Sequence, residues 1–175
     1  SAHAVLEGGH QPRVAGQLVQ ECGAGLLVIH IEGSRAERRL LVRAPEAREI
    51  AATSAHLSLL RDALGDRELG VLPPAFIEGG RRWWVAELAD ETAIRGWQPD
   101  HAAIGALAHA SDSLGLCVFA RSADPAHDLV VRAFPAGVGI VEDPASGAAN
   151  GLIAAWIAQR EPQGRLASGY RVSQG

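Results

Sequence analysis

The residues best suited to chemistry fall in one short stretch, Glu142-Asp143-Pro144-Ala145-Ser146-Gly147-Ala148-Ala149. Asp143 before Pro144 is a helix-start signal. The carboxylate can accept an orphan backbone N–H, and proline needs no donor at the first helical position. Ser146, Gly147, Ala148 and Ala149 are small, so a ligand could come close to the backbone N–H groups of that first turn. Those groups carry the positive end of the helix dipole and suit a carboxylate or a phosphate. Asp143 therefore has two readings that can hold together. It is a cap satisfying backbone donors, or a hydrogen-bond or acid/base group beside an anion site. Gly147 and Ala148 either relieve crowding between backbones or offer their N–H groups to a substrate oxyanion. Glu142 is expected to face solvent.

Other chemistries find less support. Ser146 lacks a nucleophile-elbow context, which argues against acyl transfer. The seven histidines share no metal-type spacing, and no metal site is expected. His3 lies on an opening helical fragment and could face a cleft. Cys22 and Cys117 form no metal pair and neither neighbours the 142–149 stretch, so cysteine-based proton transfer is not expected.

The helix that must carry the turn is unusual. From Ala148 to Ala158 apolar residues cover every side, including Leu152, Ile153, Trp156 and Ile157. A helix apolar all round belongs in the middle of something. At roughly 15 residues it is short for a membrane span, which takes about 20.

Strands must surround it. Leu26–Glu32 and Arg39–Arg43 read as strands, with a weaker one over Arg13–Gln20 and a hairpin turn at Gly23-Ala24-Gly25. Ser1-Ala2-His3-Ala4-Val5-Leu6-Glu7 reads as the end of a helix stopped by Gly8-Gly9. Helices are expected over Glu46–Leu64, with a break near Thr53-Ser54, and over Asp100–Leu114. Phe76-Ile77 and Trp83–Leu88 flank a hairpin at Glu78-Gly79-Gly80, and alternation predicts that one of Trp83 and Trp84 is core. Leu116–Ala120, Asp128–Phe134 and a closing strand after Gly169 complete the set. Antiparallel strands wrapped around one central helix would satisfy this order, with a boundary near Ala44-Pro45.

The bulk numbers suit a cytoplasmic globular protein. The 175 residues are 47% hydrophobic and 21% charged, with a net charge of −4. The basic cluster Arg35, Arg38, Arg39, Arg43 is interrupted by Glu37 and apolar residues, which argues against nucleic acid as a partner. No signal peptide or membrane-spanning run is visible. Methionine is absent, the chain opens as if mid-helix and it closes on a strand. These features predict an incomplete chain.

Two runs resemble the phenazine-biosynthesis (PhzF-like) isomerase family. Arg132-Ala133-Phe134-Pro135 is similar to that family's Arg-x-Phe-x-Pro segment. Glu142, Asp143, Pro144, Gly147 and Ala149 match its Glu-Asp-Pro-x-Thr-Gly-Ser-Ala motif, with Ser146 replacing threonine and Ala148 replacing serine. The opening residues look like those following its Gly-His-Pro motif. Tyr170-Arg171-Val172-Ser173-Gln174-Gly175 resembles the strand leading into its closing Gly-Arg-Pro segment. The resemblance implies an α+β fold of the diaminopimelate-epimerase type: two pseudo-symmetric lobes, each an antiparallel β-barrel around a central buried helix. Residues 1–45 would then be the remainder of the first lobe and 46–175 the second, with its central helix at about 144–160. It also implies an isomerase or epimerase that transfers a proton on a small carboxylate-bearing substrate without cofactor or metal, and a homodimer. Asp143 would be catalytic, contacting the substrate or relaying its proton, while Ser146, Gly147 and Ala148 bind the carboxylate. The family's general base is a glutamate upstream of residue 1, outside this sequence. The alternative is a non-catalytic relative that binds small carboxylates or serves a structural role, a reading that Ala148 favours through its missing hydroxyl.

Overall fold

The computed structural model describes residues 2–22, 25–33 and 37–174. The expected Gly23-Ala24 turn, Arg35 of the basic cluster, and the end residues Ser1 and Gly175 lie outside the described residues. The chain divides into Ser1–Pro45 and Glu46–Gly175, each making most of its contacts internally.

The first unit opens with α1 (Ala2–Glu7), which buries none of its residues. Gly8 ends it by donating to Ala4 O at 3.0 Å, and Gly9 takes the left-handed conformation (φ 85°) that glycine adopts without penalty. His3 is exposed on this helix. Three strands follow, β1 (Gln17–Cys22), β2 (Gly25–Glu32) and β3 (Arg39–Val42), in the antiparallel order β1-β2-β3. Cys22 lies opposite Gly25, as a hairpin requires. Of the sheet's apolar residues Ile29 is buried, while Val19, Leu26 and Val42 are exposed.

The second unit is a six-stranded mixed sheet in the order β4-β5-β6-β7-β8-β9. Its strands are β4 (Arg48–Glu49), β5 (Ala75–Gly79), β6 (Arg81–Glu87), β7 (Leu116–Arg121), β8 (Leu129–Phe134) and β9 (Val172–Gln174). Three pairings are antiparallel, but β6–β7 and β8–β9 are parallel. The wholly antiparallel sheet expected from the sequence is corrected at those two pairs. Parallel neighbours need long crossovers, supplied between β6 and β7 by α3 (Glu91–Arg95) and α4 (His101–Ala110). Among the described residues no pairing joins β9 to β4, so the sheet is open.

Helices cover both faces. Leu60 and Leu64 of α2 (Ser54–Leu64) and Ile104 and Leu107 of α4 pack with Phe76, Trp84, Val118 and Phe134 on one face. On the other, α5 (Gly147–Arg160) sets Leu152, Ile153, Trp156 and Ile157 against Ile77, Trp83, Phe119 and Val131. Trp83 and Trp84 are therefore both buried, because alternation sends them into two different cores. Burying a large apolar side chain contributes roughly 1.5–3 kcal/mol. The four on α5 therefore outweigh any single capping bond, worth about 1 kcal/mol.

Two helix boundaries differ from expectation. The segment 46–64 breaks at Thr53-Ser54 as expected, but the part before the break is not helical. Its start pairs with β5 as β4, and α2 begins after Thr53, whose Oγ1 accepts from His56 N at 3.2 Å. His56 Nδ1 accepts from Thr53 N in return, so a histidine completes the capping box in place of an acid. Helix α4 starts after Asp100, whose carboxylate caps Ala102 and Ala103, and ends at Ala110, ahead of Asp112 in the left-handed region (φ 48°).

The carboxyl end of α5 is locked by charge. Glu87 is 2% exposed. It accepts from Leu72 N at 2.9 Å through one oxygen and from Arg121 Nε at 2.8 Å through the other. Arg121 donates onward to Glu161, the residue that closes α5, at 2.7 Å. A Cβ at Gly70 would run into the Glu87 side chain, so glycine is what lets that loop approach β6. Arg160 stacks on Trp156 with its guanidinium carbon 4.1 Å from the ring centre and pairs with Glu49 at 2.7 Å.

Candidate functional site

At the other end of α5 the chain leaves β8, makes a short 3-10 turn over Ala136–Val138 and returns to β8 at Asp143. Asp143 N donates to Ala133 O at 2.9 Å. Its backbone is thereby committed to the sheet, and this corrects the expected helix start. Asp143 does not cap α5, and Pro144 is not its first residue. Asp143 Oδ1 instead accepts from Ala145 N at 3.1 Å, closing a small turn, while Oδ2 has no partner among the described residues. The cap is Ser146, whose extended backbone (φ −86°, ψ 99°) lets Oγ accept from Ala149 N at 3.3 Å. Ser146 is buried, so its hydroxyl serves the helix first.

Gly147 and Ala148 come next as the first two helical residues, both exposed. Neither N–H has an acceptor among the described residues, and a Cβ placed on Gly147 would meet nothing within 4 Å. Two adjacent donors on exposed residues, at the positive end of a helix of 14 residues, are suited to receive an anion. The structure thus brings Asp143, Ser146, Gly147 and Ala148 into one turn, with the aspartate one short loop away from the donors.

Four residues hold this turn in ways the sequence alone does not indicate: Glu142, Arg132, Asn150 and Gln174. Glu142 does not simply face solvent. It forms a two-point ion pair with Arg132 at 2.7 and 2.8 Å. Arg132 also donates to Trp97 O at 2.6 Å and Ile94 O at 3.1 Å, and lies over the Phe134 ring. A lone arginine in the apolar run Leu129–Phe134 was the available signal, since a half-buried charge must be paired. A concavity of about 540 Å³ beside it is lined by Arg95, Val130, Arg132, Glu142 and Pro144. Its arginines are engaged, Arg132 as described and Arg95 with Glu91 and Ser173. The second pair of supports, Asn150 and Gln174, had no local signal at all.

Cys117 is fully buried and donates its thiol to Trp84 O, and burial pushes that thiol well above its ordinary range. It is no candidate nucleophile. Among the described residues no group of three or more histidines, cysteines or acids is placed to hold a metal. No helix among them is long and apolar enough to cross a membrane.

Comparison with known proteins gives a consistent result. A curated relative, antisense-enhancing sequence 1 of Schizosaccharomyces pombe, is 26% identical over 179 residues, covering 100% of this chain and 60% of the relative. A PhzF-family phenazine biosynthesis protein of Bacillus anthracis superposes with a TM-score of 0.71 at 22% identity, over 90% of this chain and 54% of that one. The PhzF-family protein of Enterococcus faecalis gives 0.55, also at 22% identity, over 91% and 54%. The chain therefore spans little more than half the length of these proteins, and at such identities the two structures speak for the fold alone. The model of the phenazine biosynthesis-like (PhzC-PhzF) family matches residues 1–174, and the chain belongs to that family.

Proposed function

We propose that this chain carries the carboxylate-binding half of an isomerase that moves a proton on a small carboxylate-bearing substrate. The observation that carries the reading is the pair of N–H groups on Gly147 and Ala148, in the family's motif, on exposed residues and without an acceptor among the described residues. Removing a proton from a carbon conjugated with a carboxylate sends the electron pair toward the carboxylate oxygens. Fixed donors at a helix start stabilise that growing charge more than they stabilise the ground state. The proton returns to the substrate at a second carbon, so the reaction is balanced without an oxidant or reductant.

Asp143, with Oδ2 unengaged, is the group to contact the substrate or relay the proton, and Ser146 fixes the helix start. The family resemblance puts the general base outside these 175 residues. It also makes unit 46–175 the second lobe, with α5 as its central helix, and unit 1–45 part of the first. No cofactor is invoked.

The test is a thermal-shift screen of aromatic and amino carboxylates on the full-length protein, followed by turnover of the best ligand class by Asp143→Asn. Loss of turnover with melting unchanged supports the assignment, and normal turnover sinks it. A second reading, binding without catalysis, draws on Ala148, which lacks the hydroxyl of the family's serine. It is favoured if ligands raise the melting temperature but none is turned over.

A further inference from the structure

We infer that Gln174, the last residue of β9, is the positioning residue that decides which N–H groups of the turn are left for a ligand. The inference rests on the carboxylate-binding reading above.

Gln174 Nε2 donates to Asp143 O at 2.9 Å. Its Oε1 accepts from Ser146 N at 3.2 Å and from Asn150 Nδ2 at 2.7 Å. Asn150 Nδ2 donates also to Ser146 O at 2.9 Å. The chemistry fixes both amide orientations. Exchanging oxygen and nitrogen on Gln174 would set donors against the Ser146 and Asn150 N–H groups and an acceptor against the Asp143 carbonyl.

One side chain thus ties the residue before Pro144, the cap and the first turn of α5 to the sheet. Strand β8 makes this possible from both directions. Ala133 O takes the Asp143 N–H, and Val131 stands opposite Gln174 in the parallel β8–β9 pairing.

The consequence is selective. Between Ala145 and Ala149, three N–H groups are turned inward: Ala145 to Asp143 Oδ1, Ser146 to Gln174 and Ala149 to Ser146 Oγ. Gly147 and Ala148 remain. Two adjacent donors match the two oxygens of a single carboxylate. Without Gln174 the Ser146 N–H would be a third free donor, and Asp143 would lose the bond that holds its carbonyl toward β9.

The experiment compares wild type, Gln174→Ala and Gln174→Glu by amide hydrogen exchange and by calorimetric titration with benzoate. Gln174→Ala should raise exchange at Ser146 by about tenfold or more and weaken benzoate about tenfold, the size of one to two lost hydrogen bonds. Protection around Trp156 should not change. Gln174→Glu keeps the acceptor, so Ser146 stays protected. It sets an oxygen against Asp143 O and adds negative charge, so benzoate binding falls, and this variant decides the matter if the alanine variant fails to fold. Unchanged Ser146 exchange in Gln174→Ala overturns the inference, as does unchanged benzoate affinity in both variants. Wild-type protein that ignores benzoate, with Ser146 exchange still raised in Gln174→Ala, supports the ordering role and overturns the carboxylate reading alone.

Discussion

The two ends of α5 are built to opposite specifications. At the carboxyl end every charge has a partner: Glu87 with Leu72 N and Arg121, Arg121 with Glu161, Arg160 with Glu49. At the amino end Gln174 and Asn150 tie the turn to the sheet, but Asn150 Oδ1 is buried with no partner among the described residues. Among those residues, too, Gly147 and Ala148 keep their donors free and Asp143 keeps an oxygen free. A buried helix needs both ends satisfied for stability. An end left partly unsatisfied, in the open, is where the molecule has something to offer a ligand.

Breaking the closed end should have the largest effect. Glu87→Ala removes a buried carboxylate, orphans Leu72 N and leaves Arg121 with one partner. Urea unfolding should show a loss of about 3 kcal/mol, from one orphaned buried N–H and one charge-assisted hydrogen bond to the half-buried Arg121. A loss well under 1 kcal/mol would mean that this end is no lock.

At the open end the effect should appear in function instead. Asp143→Asn preserves the acceptor for Ala145 N, so melting should hold while turnover falls about a hundredfold or more, the scale of a general acid/base group.

Gly147→Pro sharpens the contrast further. Proline is favoured at the first helical position, and Ser146 already has the extended backbone a pre-proline residue needs. The variant should therefore fold as well as wild type yet bind benzoate about tenfold more weakly, having lost one donor. Equal binding would show that the Gly147 N–H is not used.

The smallest effect concerns the outer supports of the open end. Glu91 accepts from Ser122 and Arg95, and Arg95 donates to Ser173 beside Gln174. The Ser122 hydroxyl foremost, then Arg95, hold the Glu91 carboxyl down at about 2, from an ordinary 4.5. A carboxyl depressed in the folded state stabilises it above the unfolded value and loses that contribution as pH falls through the folded one. Stability owed to Glu91 should thus be present above about pH 4.5 and fade toward pH 2. Glu91→Gln should flatten that part of the pH–stability curve, and an unchanged curve would remove Glu91 from the set.

What the sequence made legible follows the range of the forces involved. The buried α5 could be read because its apolar residues leave no solvent face, and the Gly-Gly stop of α1 and the Glu78–Gly80 hairpin are local too. The direction of β6 against β7 could not, because strands buried on both faces look alike either way. The same double covering defeated the expectation that only one of Trp83 and Trp84 is core. In the site, small residues marked the turn correctly. Its start was set three residues too early because the Asp143 N–H is claimed by Ala133, a partner that only the sheet supplies. Gln174 reaches Asp143 across 31 residues through β8, and nothing near either residue announces the contact.

The most direct measurement is a benzoate titration of the isotope-labelled wild-type protein, followed at the backbone amides of both ends of α5. The account predicts saturable shifts at Gly147 and Ala148, with the amides of Leu72, Arg121 and Glu161 unmoved. Shifts absent from Gly147 and Ala148, or equally large at the closed end, would contradict it.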